Sequence, residues 1–399
     1  MNQRQRTRVV ADNMDRRDFL RRAGIIGGGV MLTPALLAAC SSDATTKPTD
    51  SKPSTGSTTA IAKVGGSMRL ATWPLYLDAS DQSPAKSKTL QDFKERSGVA
   101  LEYKVDVDDN DSFTATVEPN LKKGNATGYD VAVLTSWMAA RWIKNGWTEP
   151  LDDKLLPNKH NLLARLQNVK WDPNRAHTLP YAEGQVGIAY YRDEAGFDIK
   201  NVSDLLDPRL KGKVTILSEV RDTVGLFMLE AGLDPATATV EQAKTAIVTI
   251  KKARDRGQFR KITGNSYTED LGSKDAIAAI AWSGDVAVLQ EQNPDLLWVA
   301  PAAGQMSFVD TMLIPKGAKN LAQAHAWMNF LYDPAVSGPL FEKINYVSPV
   351  QGANANMTDK ARKNVLINPP TSAKIAEFRD LTETEAADLE GAFSKATQL

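Results

Sequence analysis

The sequence predicts two mainly α/β lobes with a ligand crevice between them. Three observations carry this: strand-like and helix-like segments alternate along the chain, its 399 residues exceed one core of the usual size, and aromatic residues recur beside carboxylates where predicted strands end. The composition, 42% hydrophobic and 24% charged, excludes a disordered chain, a collagen and a polytopic membrane protein.

A short apolar strand is predicted at 68–73, then a helix over 85–97 with Leu90 and Phe93 on one face and Gly98 at its end. Residues 99–105 alternate with period two, which completes a strand–helix–strand unit. A buried strand follows at 129–134, with a helix over 136–145 closed by Gly146. Strands at 184–191 and 213–217 open a second set, with helices over 221–231, 240–256 and 270–277. Further strands fall at 277–281, 296–300 and 307–314, and an amphipathic helix at 322–332. No internal repeat is present.

The N-terminus reads as an address rather than as fold. Seven arginines, including Arg16 and Arg17, precede an apolar run from Ala23 to Ala39 that ends at Cys40, the single cysteine. That run is 17 residues with four glycines, short of the ~20 apolar residues a membrane span needs, so cleavage is expected. The arginine pair before Phe19 and Leu20 looks like a twin-arginine export signal. Leu37-Ala38-Ala39-Cys40 resembles a lipobox, which makes Cys40 the expected lipidation site and the bilayer a partner. The glycines of 24–29 follow no strand and lack dinucleotide-loop spacing. Of residues 41–59, 11 are Ser or Thr, a composition that reads as a tether. Residues 1–39 are thus expected to be the signal and 40–65 the lipidated cysteine and linker. Without the first 39 residues the chain keeps 41 basic against 45 acidic groups, a balance that argues against nucleic acid as a partner.

Catalytic and metal patterns are weak. His160, His177 and His325 lie far apart, and Tyr190 and Tyr191, which could suggest ferric iron, point to opposite faces of one strand. Ser83 and Lys86 match an SxxK pattern with no supporting motif, so a hydrolase rests on that alone. No cofactor is implied, and the chain does not read as an enzyme.

What remains is the aromatic and acidic set: Trp73, Tyr76, Thr135, Trp137, Glu219, Asp222, Trp282, Asp285, Phe308, Asp310 and Tyr346. Aromatic faces attract cations and carboxylates accept charge-assisted hydrogen bonds from ammonium groups, so together they suit an elongated organic polycation. Each position taken singly is equally consistent with a core cap or, for Glu219 and Asp222, with acids at a helix N-terminus.

The chain also resembles the polyamine (spermidine/putrescine) binding proteins of ABC importers over about residues 66–352. The likeness lies in ATWPLY at 71–76, YDVAVLTSW at 129–137, TLPY at 178–181, AWSGD at 281–285, FVDTMLIP at 308–315 and WMNFLYDP at 327–334, with Tyr346 beyond. The resemblance implies a two-lobed periplasmic-binding-protein fold, type II-like, with hinge strands between the lobes. It further implies that the lobes close on the ligand, and that the partners are a permease and an ATPase. By position, Trp73, Tyr76, Trp137, Trp282, Phe308 and Tyr346 are expected to pack on methylenes, with Thr135 polar beside them. Glu219, Asp222, Asp285 and Asp310 are expected to hold the amines. WSGD and FVD look more like the putrescine-preferring branch, Glu219 with Asp222 more like the spermidine-preferring one. Pro74 and Leu75 replace polar residues usual in the family, and the last 45 residues align poorly. Lobe 1 is expected to be 66–179 with 309–351, and lobe 2 180–308 with 352–399. The alternative cargo is another small solute, such as an amino acid, an opine or an iron complex. An anionic cargo needs basic groups in the slot, where Arg221 is the one candidate.

Overall fold

The computed structural model describes residues 63–80, 83–107, 110–370 and 372–398. The signal, Cys40 and most of the linker lie outside the described residues.

Ten strands form one sheet: β1 (Ser67–Thr72), β2 (Ala100–Val105), β3 (Val131–Thr135), β4 (Thr178–Tyr191), β5 (Val214–Leu217), β6 (Phe259–Thr263), β7 (Ala278–Trp282), β8 (Leu296–Val299), β9 (Gln305–Leu313) and β10 (Ile375–Ala376). Their order is β2-β1-β3-β9-β4-β7-β5-β6, with β8 paired to β4 and β10 to β9. Pairing is parallel at both ends of the sheet and antiparallel at its centre, where β4 and β9 run side by side from Thr178 opposite Leu313 to Val186 opposite Met306. These two long strands cross between the lobes. Along β9, Val309, Met312 and Ile314 pack with the first lobe's core, Met306 with the second lobe's, and Phe308 touches both.

β4 is longer than the 184–191 strand expected, because Pro180 and a bulge at Tyr181 mask the alternation of its first half. The sequence reading also missed β6, whose side chains are partly exposed, and the helix Asn110–Leu121, whose mixed composition and internal Pro119 leave little amphipathic signal. The expected helix over 85–97 forms as Lys88–Ser97, because the Ser87 hydroxyl accepts the Leu90 N–H (3.0 Å) and starts it there; Gly98, left-handed, ends it.

The division of the last 48 residues differs from the expected one. Ala353, Met357, Ala361 and Ile367 pack in the first lobe's core, whereas the chain from Ala376 onward packs on the second, through Phe378 and Leu381 and through Leu389, Phe393 and Ala396 on the helix Glu383–Thr397. The cause is close packing: Gly338, on the helix Pro334–Ile344, lies so near the turn at Ala353–Asn356 that a Cβ would meet the Ala353 carbonyl oxygen at 2.4 Å.

A similar approach fixes the centre of the molecule. Gly284, in the first turn of the helix Ser283–Gln290, lets the Tyr346 ring lie where a Cβ would come within 2.4 Å of it. Gly284→Ala is therefore expected to cost about 1–3 kcal/mol through overpacking. Gly391→Ala, in the C-terminal helix with open space around it, is expected to stabilise by roughly 0.5–1 kcal/mol. Urea unfolding of both variants checks the pair; equal effects would contradict this account of Gly284.

Candidate functional site

Three strand-to-helix junctions and one strand shape the cleft. Thr135 ends β3 and starts the helix Ser136–Lys144; Glu219 follows β5 and starts the helix Val220–Glu230; Trp282 ends β7 and starts Ser283–Gln290. Residues at such junctions sit at the carboxyl ends of strands, where a crevice between lobes is lined. From β9, the consecutive residues Met306 to Asp310 all line the same cavity, because the strand crosses it between the lobes. The cleft encloses about 480 Å³.

Ten of the eleven expected residues line it: Trp73, Tyr76, Thr135, Trp137, Glu219, Asp222, Trp282, Phe308, Asp310 and Tyr346. Asp285 does not. It lies one layer back, where it accepts hydrogen bonds from Tyr267 Oη (2.9 Å), Tyr346 Oη (3.3 Å) and Asn265 Nδ2 (3.3 Å). It stands buried in the first turn of its helix, so its contribution is to hold Tyr346 and Tyr267 rather than to form the wall. Tyr190 and Tyr191 are also in the second core, away from the cleft.

Asp310 is buried and accepts from Tyr76 Oη and from Thr135 Oγ1 (2.8 Å), and Thr135 is held in turn by Asn110 Nδ2 (2.9 Å). Leu75, a left-handed non-glycine residue (φ 61°), turns the chain between β1 and Tyr76. Tyr76 stacks on Tyr181 (5.4 Å) and meets Tyr346 edge-on (5.2 Å), and Phe308 meets Tyr346 likewise (6.2 Å). Across the cleft, Asp222 accepts from Trp282 Nε1 (2.7 Å), and Tyr267 Oη accepts the Trp282 backbone N–H (3.0 Å).

Asp222 and Asp310 form no ion pair among the described residues; their donors are hydroxyls and an indole. Burial is the main cause that raises Asp222 from the ordinary 3.8 to about 7, with a further push from Asp310, against which the Trp282 hydrogen bond and the charge of Arg221 work. Burial likewise raises Asp310 to about 6, opposed by its two hydroxyl donors. Desolvation disfavours the charged carboxylates, and a cation entering the cleft favours them.

The guanidiniums on the wall are engaged elsewhere. Arg165 grips Glu183 with both terminal nitrogens, and Arg175 donates to Leu166 O (2.7 Å) and lies against Trp171 (5.1 Å). Arg221 stacks on Trp137 (3.8 Å) and approaches Glu390 (3.5 Å), which Arg141 of the first lobe also approaches (3.8 Å). The sequence reading missed Asn110, Arg165, Trp171, Arg175 and Asn265 on this wall, and also Glu377, Phe378 and Asp380. The last three again set an aromatic residue beside carboxylates, so that signal was available for them; nothing local marks Asn110.

The model of the family described as bacterial extracellular solute-binding protein matches residues 88–368. The putrescine-binding periplasmic protein PotF of Escherichia coli (strain K12) is 25% identical over 309 residues, spanning 73% of this chain and 82% of that protein. Spermidine/putrescine-binding periplasmic protein 1 of Haemophilus influenzae is 26% identical over 298 residues, 74% of this chain and 78% of its own length. Among solved structures, the spermidine/putrescine ABC transporter substrate-binding protein PotD of Streptococcus pneumoniae shares the fold with a TM-score of 0.70 at 19% identity, over 84% of this chain and 99% of that one.

The raised Asp222 pKa has a measurable consequence. Between about pH 4 and 7 the folded state holds a proton that the unfolded state has released, so this group lowers stability as pH rises through that window. Asp222→Asn, which keeps an acceptor for Trp282, is expected to stabilise the ligand-free protein by roughly 1–3 kcal/mol at pH 8 and by nothing below pH 4. Thermal unfolding at both pH values checks it; a gain independent of pH would refute the assignment.

Proposed function

The chain belongs to the bacterial extracellular solute-binding protein family, and we propose that it captures a linear polyamine between its two lobes for delivery to the permease of an ABC importer. The carrying observation is the pair Asp222 and Asp310, two buried carboxylates held by neutral donors on opposite sides of an aromatic slot. Such acids are poised for a cation and costly without one. The similarity to putrescine- and spermidine-binding proteins supports the same reading.

In the closed lobes, ammonium groups replace protons as the partners of Asp222 and Asp310, and Glu219 adds a third carboxylate to the wall. The faces of Trp73, Trp137, Trp282, Phe308 and Tyr346 cover the methylenes and exclude water. An anionic cargo is disfavoured because Arg165 and Arg221 already face Glu183 and Glu390. Ligand-dependent closure, rather than any bond making or breaking, is the signal passed to the permease and its ATPase. We further propose that the protein is exported through the twin-arginine route, lipidated at Cys40 and tethered outside the cytoplasmic membrane by residues 41–65. Cys40→Ser is then expected to release it from the membrane fraction, and unchanged membrane retention would remove the anchor from this scheme.

Calorimetric titration of the full chain with putrescine, spermidine and an amino-acid panel tests the cargo. Heat and a melting shift with a polyamine alone are expected; their absence with both polyamines sinks the proposal. Asp310→Asn or Trp282→Ala should weaken binding by about 1–3 kcal/mol, roughly tenfold to a hundredfold. Affinity should also fall by about tenfold or more from pH 8 to pH 5, because protons then compete with the amine for Asp222 and Asp310. A flat pH profile would argue against their role as the amine partners.

A further inference from the structure

The wall of the cleft includes residues beyond the family match, which ends at 368. They arrive there through β9. On one edge of β9, β3 ends with Thr135 opposite Asp310, and β10 ends with Ala376 opposite Met306. Both strands stop short of each other on that edge, so residues 307–309 lie open to the cleft between them. Continuing the β10 register sets Glu377 beside Ser307, and Ser307, Phe308 and Glu377 all line the cavity. Asp380 follows on the same wall.

Resting on the polyamine reading, we propose that Glu377 and Asp380 form a further ammonium subsite that sets the chain length of the cargo, favouring a triamine or longer over a diamine. Spacing supports it. Three residues along β9 separate Ser307 from Asp310, about 10 Å at the rise of a strand. An extended chain advances about 1.2 Å per bond, so the five bonds between the nitrogens of 1,4-diaminobutane span about 6 Å and the nine of spermidine about 11 Å. A diamine held at Asp310 stops short of Glu377, whereas a triamine reaches it.

The charges support it as well. Neither side chain forms a hydrogen bond or an ion pair among the described residues. Both residues keep exposed surface at the cleft wall; partial desolvation raises both carboxyls, and Glu183 raises Glu377 further, while Arg165 and Arg175 pull Glu377 down and Arg221 and Lys170 do so for Asp380. Of these cations, Arg165 and Arg221 are shared with Glu183 and Glu390. Neither acid is needed to hold the segment, which is anchored by Arg379 to Ala238 O (2.7 Å) and to Glu385 (2.6 Å), and by Phe378 against the second core.

The test compares putrescine, spermidine and spermine on the full chain and on the Glu377→Gln/Asp380→Asn double variant by calorimetry, with thermal unfolding as the folding control. Expected are a loss of tenfold or more for spermidine and spermine and a change within twofold for putrescine. Equal losses for all three amines would reduce the pair to general attraction and overturn the subsite, as would no loss for any. If the unaltered chain binds no polyamine, the function itself fails, and this subsite with it. Arg379→Ala, which loosens the segment but keeps both acids, should weaken spermidine more than putrescine; the reverse order also overturns the inference.

Discussion

Two carboxylates removed from water without an ion pair among the described residues organise the middle of this molecule. Burying a charge is expensive unless it is paired, and Asp222 and Asp310 respond by holding their protons toward neutral pH. Their hydrogen bonds to Trp282, Tyr76 and Thr135 orient the oxygens without neutralising them. The charged state of either acid is therefore unfavourable until a proton or another positive group meets it.

That cost is sustained by rigid surroundings. Asp310 sits on β9, a strand shared by both lobes, and its hydroxyl partners come from the end of β3 and from the turn after β1. Asp222 and Trp282 come from the two junctions that follow β5 and β7. Behind them, Tyr267 and Asp285 form a buried layer that fixes Trp282 and Tyr346 on the wall. Motion between lobes must bend β4 and β9, so closure and the position of Asp310 are mechanically linked.

The lobes also meet away from the cargo. Arg141 and Trp137 of the first lobe, Arg221 of the second and Glu390 of the C-terminal helix converge at one edge of the cleft. The C-terminal helix, started by the capping box of Thr382 and Glu385, is fixed to the second lobe by apolar packing of Leu389 and Phe393 and by the ion pair of Asp388 with Lys244 (2.6 Å). Its preceding segment therefore enters the cleft wall as a defined piece of structure, although it lies beyond the family match, which ends at 368.

Local chemistry made much of this legible. The alternation of strands and helices, the helix end at Gly98 and the aromatic and acidic junctions at Thr135, Glu219 and Trp282 are properties of a few neighbouring residues, and sequence spacing encodes them directly. It also marked the carboxylates and rings that could line a slot, since those are read from residue type alone. Only the tertiary structure decided which charges remain available: Arg165 and Arg221 are engaged by Glu183 and Glu390, between 18 and 169 residues away, and Asp285 is drawn behind the wall by Tyr267 and Tyr346. The same holds for residues 353–367, placed on the first lobe by close packing, and for Glu377 and Asp380, carried into the cleft by a two-residue strand too short to leave a periodic signal. Pairing, burial and register join residues distant in the chain, and no local pattern records them.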